Sequence, residues 1–206
     1  MKPCTMPKNQ SYKTQAGGFT LIEMAVVLVI IGLILGMVFK GRELIDQGRV
    51  KSLAAQYAKI VGAINTYYDR YGTFPGDGCP DATPASPAEC TGPKKGYLSG
   101  ASELGAFWHL LINVTGILES SDRKSVYGQP WTVFRGNNAA LGMQTVWLDL
   151  PGGTQADRRV CCALDRMIDD GDARTGSVIT LGGSYNPQTD CWSLRGQTNI
   201  HLKVAP

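Results

Sequence analysis

From residue 19 to residue 39 the chain runs FTLIEMAVVLVIIGLILGMVF, and Glu23 is the only ionisable side chain in that run. Apolar residues fall on every face of a helix drawn through it, so no stripe remains to face water. Twenty-one residues at ~1.5 Å rise each span roughly 31 Å, the hydrocarbon thickness of a bilayer. The pattern then changes. Leu53, Tyr57, Ile60, Ile64, Tyr67 and Tyr71 recur at intervals of four and three, a single stripe that predicts an amphipathic helix lying on a sheet. No proline interrupts the chain between Pro7 and Pro75. The two patterns therefore read as one helix from Thr20 to Tyr71, ended by Gly72 and Pro75. Packing accounts for the tyrosines, which fall on the stripe itself.

Beyond the helix, FPGDGCPDATPASPAECTGPKKGYLSG is rich in Pro, Gly and Ser and reads as a surface loop. Cys79 and Cys90 are placed to close it, which stabilises by about 2 to 3 kcal/mol. Ser102 to Val114 predicts a short helix with Ser102 as N-cap and Leu104, Phe107, Leu110 and Leu111 inward. His109 stands on it without a second ligand nearby. Trp131 to Arg135, Gln144 to Leu150, Ser177 to Leu181 and Asn199 to Val204 predict strands, with a helix from Gln155 to Ile168 among them. A long helix packed on a small antiparallel sheet, with short helices in the connections, is an α+β domain.

Charge removes some functions. The 206 residues carry a formal net charge of +3, from 20 Lys+Arg against 17 Asp+Glu. Lys2, Lys8 and Lys13 precede Phe19; without them 20 minus 3 leaves 17 basic against 17 acidic residues, so the rest of the chain is formally neutral. Bulk charge does not support a nucleic-acid surface spread over the whole domain, and DNA capture would need a local patch drawn from Lys94, Lys95, Arg123, Lys124, Arg158 and Arg159. Basic residues also flank the far side of the apolar run (Lys40, Arg42, Arg49, Lys51), so charge alone does not orient it. A cleaved secretory signal fits poorly, because the run is too long and no A-x-A-like site follows it. Gly32 and Gly36 form a small-xxx-small step that lets another helix approach closely. No nucleophile–base pair, phosphate loop or paired carboxylate site emerges, which points to a structural subunit and not an enzyme. An anchored periplasmic enzyme would need a concave pocket with perturbed titratable groups.

One motif carries a family. Gly17-Gly18-Phe19-Thr20-Leu21-Ile22-Glu23-Met24, joined to the unbroken apolar run, closely resembles the cleavage and methylation motif of type IV pilins and pseudopilins. The resemblance implies that a prepilin peptidase in the inner membrane cuts after Gly18 and methylates Phe19. It also implies that Glu23 neutralises the N-terminal amine of a neighbouring subunit during assembly. Residues 1–18 are then a leader, 19–39 a transmembrane and filament-core helix, 40–72 its amphipathic continuation and 73–206 a globular head of pilin fold. The partners implied are the peptidase, other copies or other pilins, the inner membrane before assembly, and the pilus or secretion assembly platform. The implied location is a bacterial inner-membrane precursor with an extracytoplasmic head, then a cell-surface or periplasmic filament. A pseudopilin of a type II secretion system, or a minor pilin for adhesion or DNA uptake, are the alternatives. Lys40 stands where many pilins have a helix-kinking proline. YYDRYGTFPGDG and the later DDGD followed by TGSV resemble a pilin-like subgroup in which proline-glycine-aspartate follows the first helix.

The C-terminal third holds the remaining candidates. Asp165, Asp169, Asp170 and Asp172 gather hard oxygen ligands at a helix end and would suit Ca²⁺, as in some pseudopilins. No other cofactor is implied. The plain alternative is a helix C-terminus turning at Gly171, its acids solvated or paired with Arg166 and Arg174. Loss of Cys4 with the leader leaves five of the six cysteines, an odd number. Their spacing offers no C-x-x-C and no His partner, and an oxidising compartment suits structural disulfides. Cys79 is expected to pair with Cys90, and Cys191 with Cys161 or Cys162. Cys161 shares a helical face with Leu164 and Ile168, which favours it as the buried half-cystine and leaves Cys162 as a spare thiol or an intersubunit bridge.

Overall fold

The computed structural model describes Gly18 and residues 20–136, 145–150, 156–182 and 184–205. Its first element, α1 (Leu21–Tyr71), is one unbroken helix of 51 residues. It begins one residue later than the sequence pattern suggests, because Thr20 serves as its N-cap. The chain divides between Arg42 and Glu43 into two units. In the first, every described side chain from Leu21 to Val38 is exposed.

The second unit is the α+β domain. Its strands are β1 (Thr132–Gly136), β2 (Thr145–Asp149), β3 (Ala156–Asp157), β4 (Val178–Leu181) and β5 (Gln197–Ala205); its helices besides α1 are α2 (Ala101–His109) and α3 (Arg158–Ile168). All described pairings are antiparallel. β5 is central: His201 and Leu202 face Asp149 and Leu148 of β2 and also Ile179 and Val178 of β4. β1 extends the sheet beyond β2.

The stripe does what its spacing requires. Leu53, Ile60, Ile64 and Tyr67 are at most 1% exposed and pack with Val146, Leu148, Ile200, Leu202 and Val204 of the sheet. Each such burial stabilises by roughly 1.5 to 3 kcal/mol. Tyr57 is half-buried, and its hydroxyl donates to the Lys203 carbonyl of β5 at 2.6 Å. Tyr71 is an exception, 41% exposed. It lies past the end of the covered surface and stacks on Tyr67 instead, ring centroids 4.6 Å apart.

Four of the five described strands lie within two residues of their expected ends, and β3 falls where a helix was expected. Residue 144 and the turn after Gly136 fall outside the described residues. The helix expected from Gln155 starts at Arg158, because Ala156 and Asp157 are extended and pair with Thr198 and Gln197. Asp157 is the N-cap, its carboxylate accepting from Arg159 N at 2.9 Å. α2, by contrast, starts earlier than expected: Gly100, not Ser102, is its N-cap. Ser102 is displaced from that role because Glu103 turns back to Ser99, accepting its N–H at 2.5 Å. The helix continues through a wider turn at Leu110–Val114, which buries Leu110 and Leu111 together with Phe107 and Trp108.

The loop after α1 is tightly held. Gly76 has φ +91°, and a Cβ there would lie 2.3 Å from the Glu103 carbonyl oxygen, so only glycine fits. The turn it makes sends the Asp77 carboxylate inward, 2% exposed, to accept from the backbone of Lys95 (3.1 Å) and Gly96 (2.9 Å). The Cys79–Cys90 disulfide closes the same loop. Its Pro-Gly-Asp is thus a buried polar turn.

Candidate functional site

The chemically distinctive segment is the start of α1. Thr20 and Glu23 form a reciprocal capping box: the Glu23 carboxylate accepts from Thr20 N and Thr20 Oγ1, both at 2.8 Å, and Glu23 N donates to Thr20 Oγ1 at 3.3 Å. This satisfies donors that the first helical turn would otherwise leave open, and it places a negative charge at the positive end of the helix dipole. Gly18 is exposed immediately before this cap. A small, unhindered residue there suits backbone entry into an active site. Gly17 and Phe19 lie outside the described residues. Downstream, Leu28 is 70% and Met37 71% exposed on opposite sides of the helix, and no charged residue lies between them.

Residues 13–39 match the family described as "Prokaryotic N-terminal methylation motif". The N-terminal segment thus carries a prokaryotic methylation motif. No curated protein matches this chain. Among solved structures it is similar to the major type IV pilin PilA1 from Clostridium difficile, at 11% identity over 79% of this chain and 98% of that one. The TM-score of that likeness is 0.37, too loose to carry an argument. The methylation motif covers Gly18, Phe19 and Glu23, the three residues singled out in the sequence.

The cysteines resolve differently from the expectation. Cys79 pairs with Cys90 as expected, but Cys191 pairs with Cys162, and Cys161 is the free thiol among the described residues. Cys161 does share the face of Leu164, and for that reason it points into the main core between α1 and the sheet, where Cys191 does not come. Cys162, one residue on, turns toward a smaller cluster with Ala173, Tyr185 and Cys191. The reading of the spare thiol as an intersubunit bridge falls with this, since Cys161 is 0% exposed and burial pushes its thiol well up from the usual cysteine range.

At the end of α3, Asp165, Asp169 and Asp170 each bring a carboxylate oxygen within 4.8 Å of the others, while Asp172 stands outside the group. Asp165 is 0% exposed. Its Oδ1 accepts from Gly171 N at 3.1 Å, and its Oδ2 has no hydrogen-bond partner. Burial pushes its carboxyl up to about 7. Asp170 accepts from Thr175 Oγ1 at 2.5 Å and from Asp172 N at 2.9 Å, Asp172 from Arg174 N at 3.0 Å, and Asp169 from Ser177 N. The acids therefore organise their own turn. Arg166 does not pair with them; it donates to the carbonyls of Pro187 (2.8 Å) and Thr189.

The six cations named for DNA do not act as one surface. Lys94 donates to the carbonyls of Asp77 (2.8 Å) and Cys90 (2.5 Å), and Lys95 pairs with Glu103 at 3.3 Å. Arg123 donates to the Trp131 carbonyl at 2.9 Å and Arg158 to that of Gly182 at 2.5 Å. Arg159 grips Asp157 through Nε at 3.1 Å and a terminal nitrogen at 2.8 Å, and lies 3.2 Å from Asp46 of α1. That last network was not legible in sequence, because Asp46 and Arg159 are more than a hundred positions apart. Lys124 alone of the six is exposed with no such bond among the described residues.

Proposed function

We propose that this chain is a structural subunit of a type IV pilus or pilus-like filament. It is made as a membrane precursor, cut between Gly18 and Phe19, methylated at Phe19 and assembled through its apolar helix. The observation that carries the reading is the coincidence of the methylation motif with a helix start whose Glu23 carboxylate is held at its end while the apolar residues beyond it are all exposed. Such a surface needs lipid before assembly and other apolar helices afterwards. The chain is acted on by the peptidase, and its own role is architectural.

The deciding experiment is intact mass with N-terminal peptide mapping of protein from membranes and from sheared surface filaments. An N-methylated chain beginning at Phe19 in the sheared fraction supports a pilus subunit. The same chain confined to membranes supports the alternative, a pseudopilin of a type II secretion system. An uncut chain in a host with an active peptidase overturns the reading. A DNA-uptake role draws no support from the cations, five of which are committed to separate internal partners.

A further inference from the structure

A cleft of about 480 Å³ opens between the loop closed by Cys79–Cys90, the α2 helix and the turn at residues 120–123. That volume lies within the range of small-molecule sites, roughly 300 to 1,000 Å³. Thr83, His109, Ile112, Asn113, Ser120 and Arg123 line it, and no lining residue is acidic. The loop rests directly on α2, since a Cβ at Gly105 would lie 2.7 Å from the Ala82 Cβ.

Arg123 is the distinctive member. Its Nε donates to the Trp131 carbonyl at 2.9 Å, and its guanidinium carbon lies 5.3 Å from the centre of the Trp108 ring. Both tryptophans are at most 4% exposed, so they form rigid anchors. The ion pairs among the described residues all use other cations. Asp122, its neighbour in sequence, turns away to Lys59 at 2.5 Å. The terminal nitrogens of Arg123 are thus fixed in place, partly desolvated and without an anion.

We propose that this cleft binds a carboxylated saccharide, with the carboxylate on the Arg123 fork. A guanidinium presents parallel donors that match a planar oxyanion. Arg123 is the one Lys or Arg among the lining residues, and a single guanidinium balances a single negative charge better than a phosphate dianion. Thr83, Asn113 and Ser120 offer donors and acceptors suited to ring hydroxyls, and Ile112 offers an apolar surface for a ring face. The site is independent of filament assembly and stands or falls separately from it.

The test is a titration of the full mature chain in a sugar-free detergent with glucuronate, using glucose, acetate and glucose 6-phosphate as comparators, followed by tryptophan fluorescence and saturation-transfer NMR. Glucuronate is expected to saturate and to bind about tenfold or more tighter than each comparator. Arg123→Gln and Arg123→Lys are each expected to weaken it about tenfold, since the lysine keeps the charge but not the fork. Asn113→Trp, at an exposed position on the cleft, is expected to abolish binding without moving the unfolding midpoint. Equal binding of glucose or acetate, tighter binding of the phosphate, no saturation by glucuronate, or full binding by Asn113→Trp would overturn the proposal.

Discussion

Gln56 Oε1 accepts the indole N–H of Trp131 at 2.9 Å, while the Nε2 of the same amide donates to the carbonyls of Asp122 (2.7 Å) and Lys124 (2.8 Å). One side chain of α1 thereby fixes the segment that leads into β1, and a tryptophan only 1% exposed has its polar atom satisfied. Replacing Gln56 by Leu leaves the Trp131 donor and two carbonyls without partners. Partly solvated carbonyls recover water, so the expected loss is about 2 kcal/mol, mostly from the buried indole. Denaturant unfolding of the purified chain checks it, and an unchanged midpoint would show that the clamp is dispensable.

Glu23→Val keeps an apolar helix, an intact cleavage junction and the Thr20 N-cap but removes the carboxylate and its half of the capping box. The variant is expected to be cut, methylated and membrane-inserted, and to be depleted at least about tenfold from sheared filaments. Quantitative immunoblotting of the two fractions decides; wild-type incorporation would refute a role for the carboxylate in assembly.

At the junction itself, size is the variable. Gly18→Ala is expected to be processed, while Gly18→Glu is expected to accumulate as the full-length chain, heavier by the leader. Mass spectrometry of the membrane fraction reads the outcome directly, and normal processing of the glutamate variant would place the cut elsewhere.

The disulfide assignment separates the two adjacent cysteines. Cys162→Ser opens a bridge spanning a sequence separation of 29 and is expected to lose about 3 to 4 kcal/mol by the loop-entropy estimate. In the wild-type protein one thiol, Cys161, is expected to resist alkylation until the fold is opened by denaturant. Peptide mapping after alkylation checks this; a Cys161–Cys191 linkage would contradict the structure.

Stability should also depend on pH through two buried groups of opposite sign. The Asp165 carboxyl is raised by burial to about 7, so between its unfolded value near 4 and pH 7 the folded state holds the proton more tightly. Its contribution to stability is complete at low pH and is lost as pH rises through about 7. His201, buried in β5 with Asp149 Oδ1 3.5 Å from its Nδ1, is lowered by burial to about 4. Its folded state binds fewer protons, so its contribution is lost as pH falls from about 6.5 toward 4. Comparing melting temperatures of the parent and Asp165→Asn from pH 4 to 8 isolates the first term. The variant is expected to gain steadily relative to the parent from about pH 4 to pH 7, and parallel curves would remove Asp165 from the account.

The N-terminal half of α1 was legible because one-dimensional pattern suffices there. A run that is apolar on every side, with a single carboxylate after a glycine pair, constrains its environment whatever the rest of the chain does. The amphipathic half was legible for a related reason: spacing of three and four names the buried face, and only Tyr71, at the edge of the covered surface, escaped it. Four of the five described strands followed from composition to within two residues, since β-branched and aromatic runs between turn residues have few other uses, while the two-residue β3 carries no such run.

What the sequence left open depended on which elements meet. Helical spacing correctly put Cys161 on the core face, but whether a core-facing cysteine finds a partner depends on where Cys191 arrives, and the 191–193 turn arrives beside Cys162. The same holds for charge. Arg123, Arg158 and Arg159 look like free cations along the chain, yet packing gives the first to a tryptophan carbonyl, the second to Gly182 and the third to Asp46 and Asp157. Local period and side-chain chemistry determine an element and its buried face. Partners distant in sequence are chosen only when the elements pack, because that choice is made by distances of a few ångströms that no local pattern encodes.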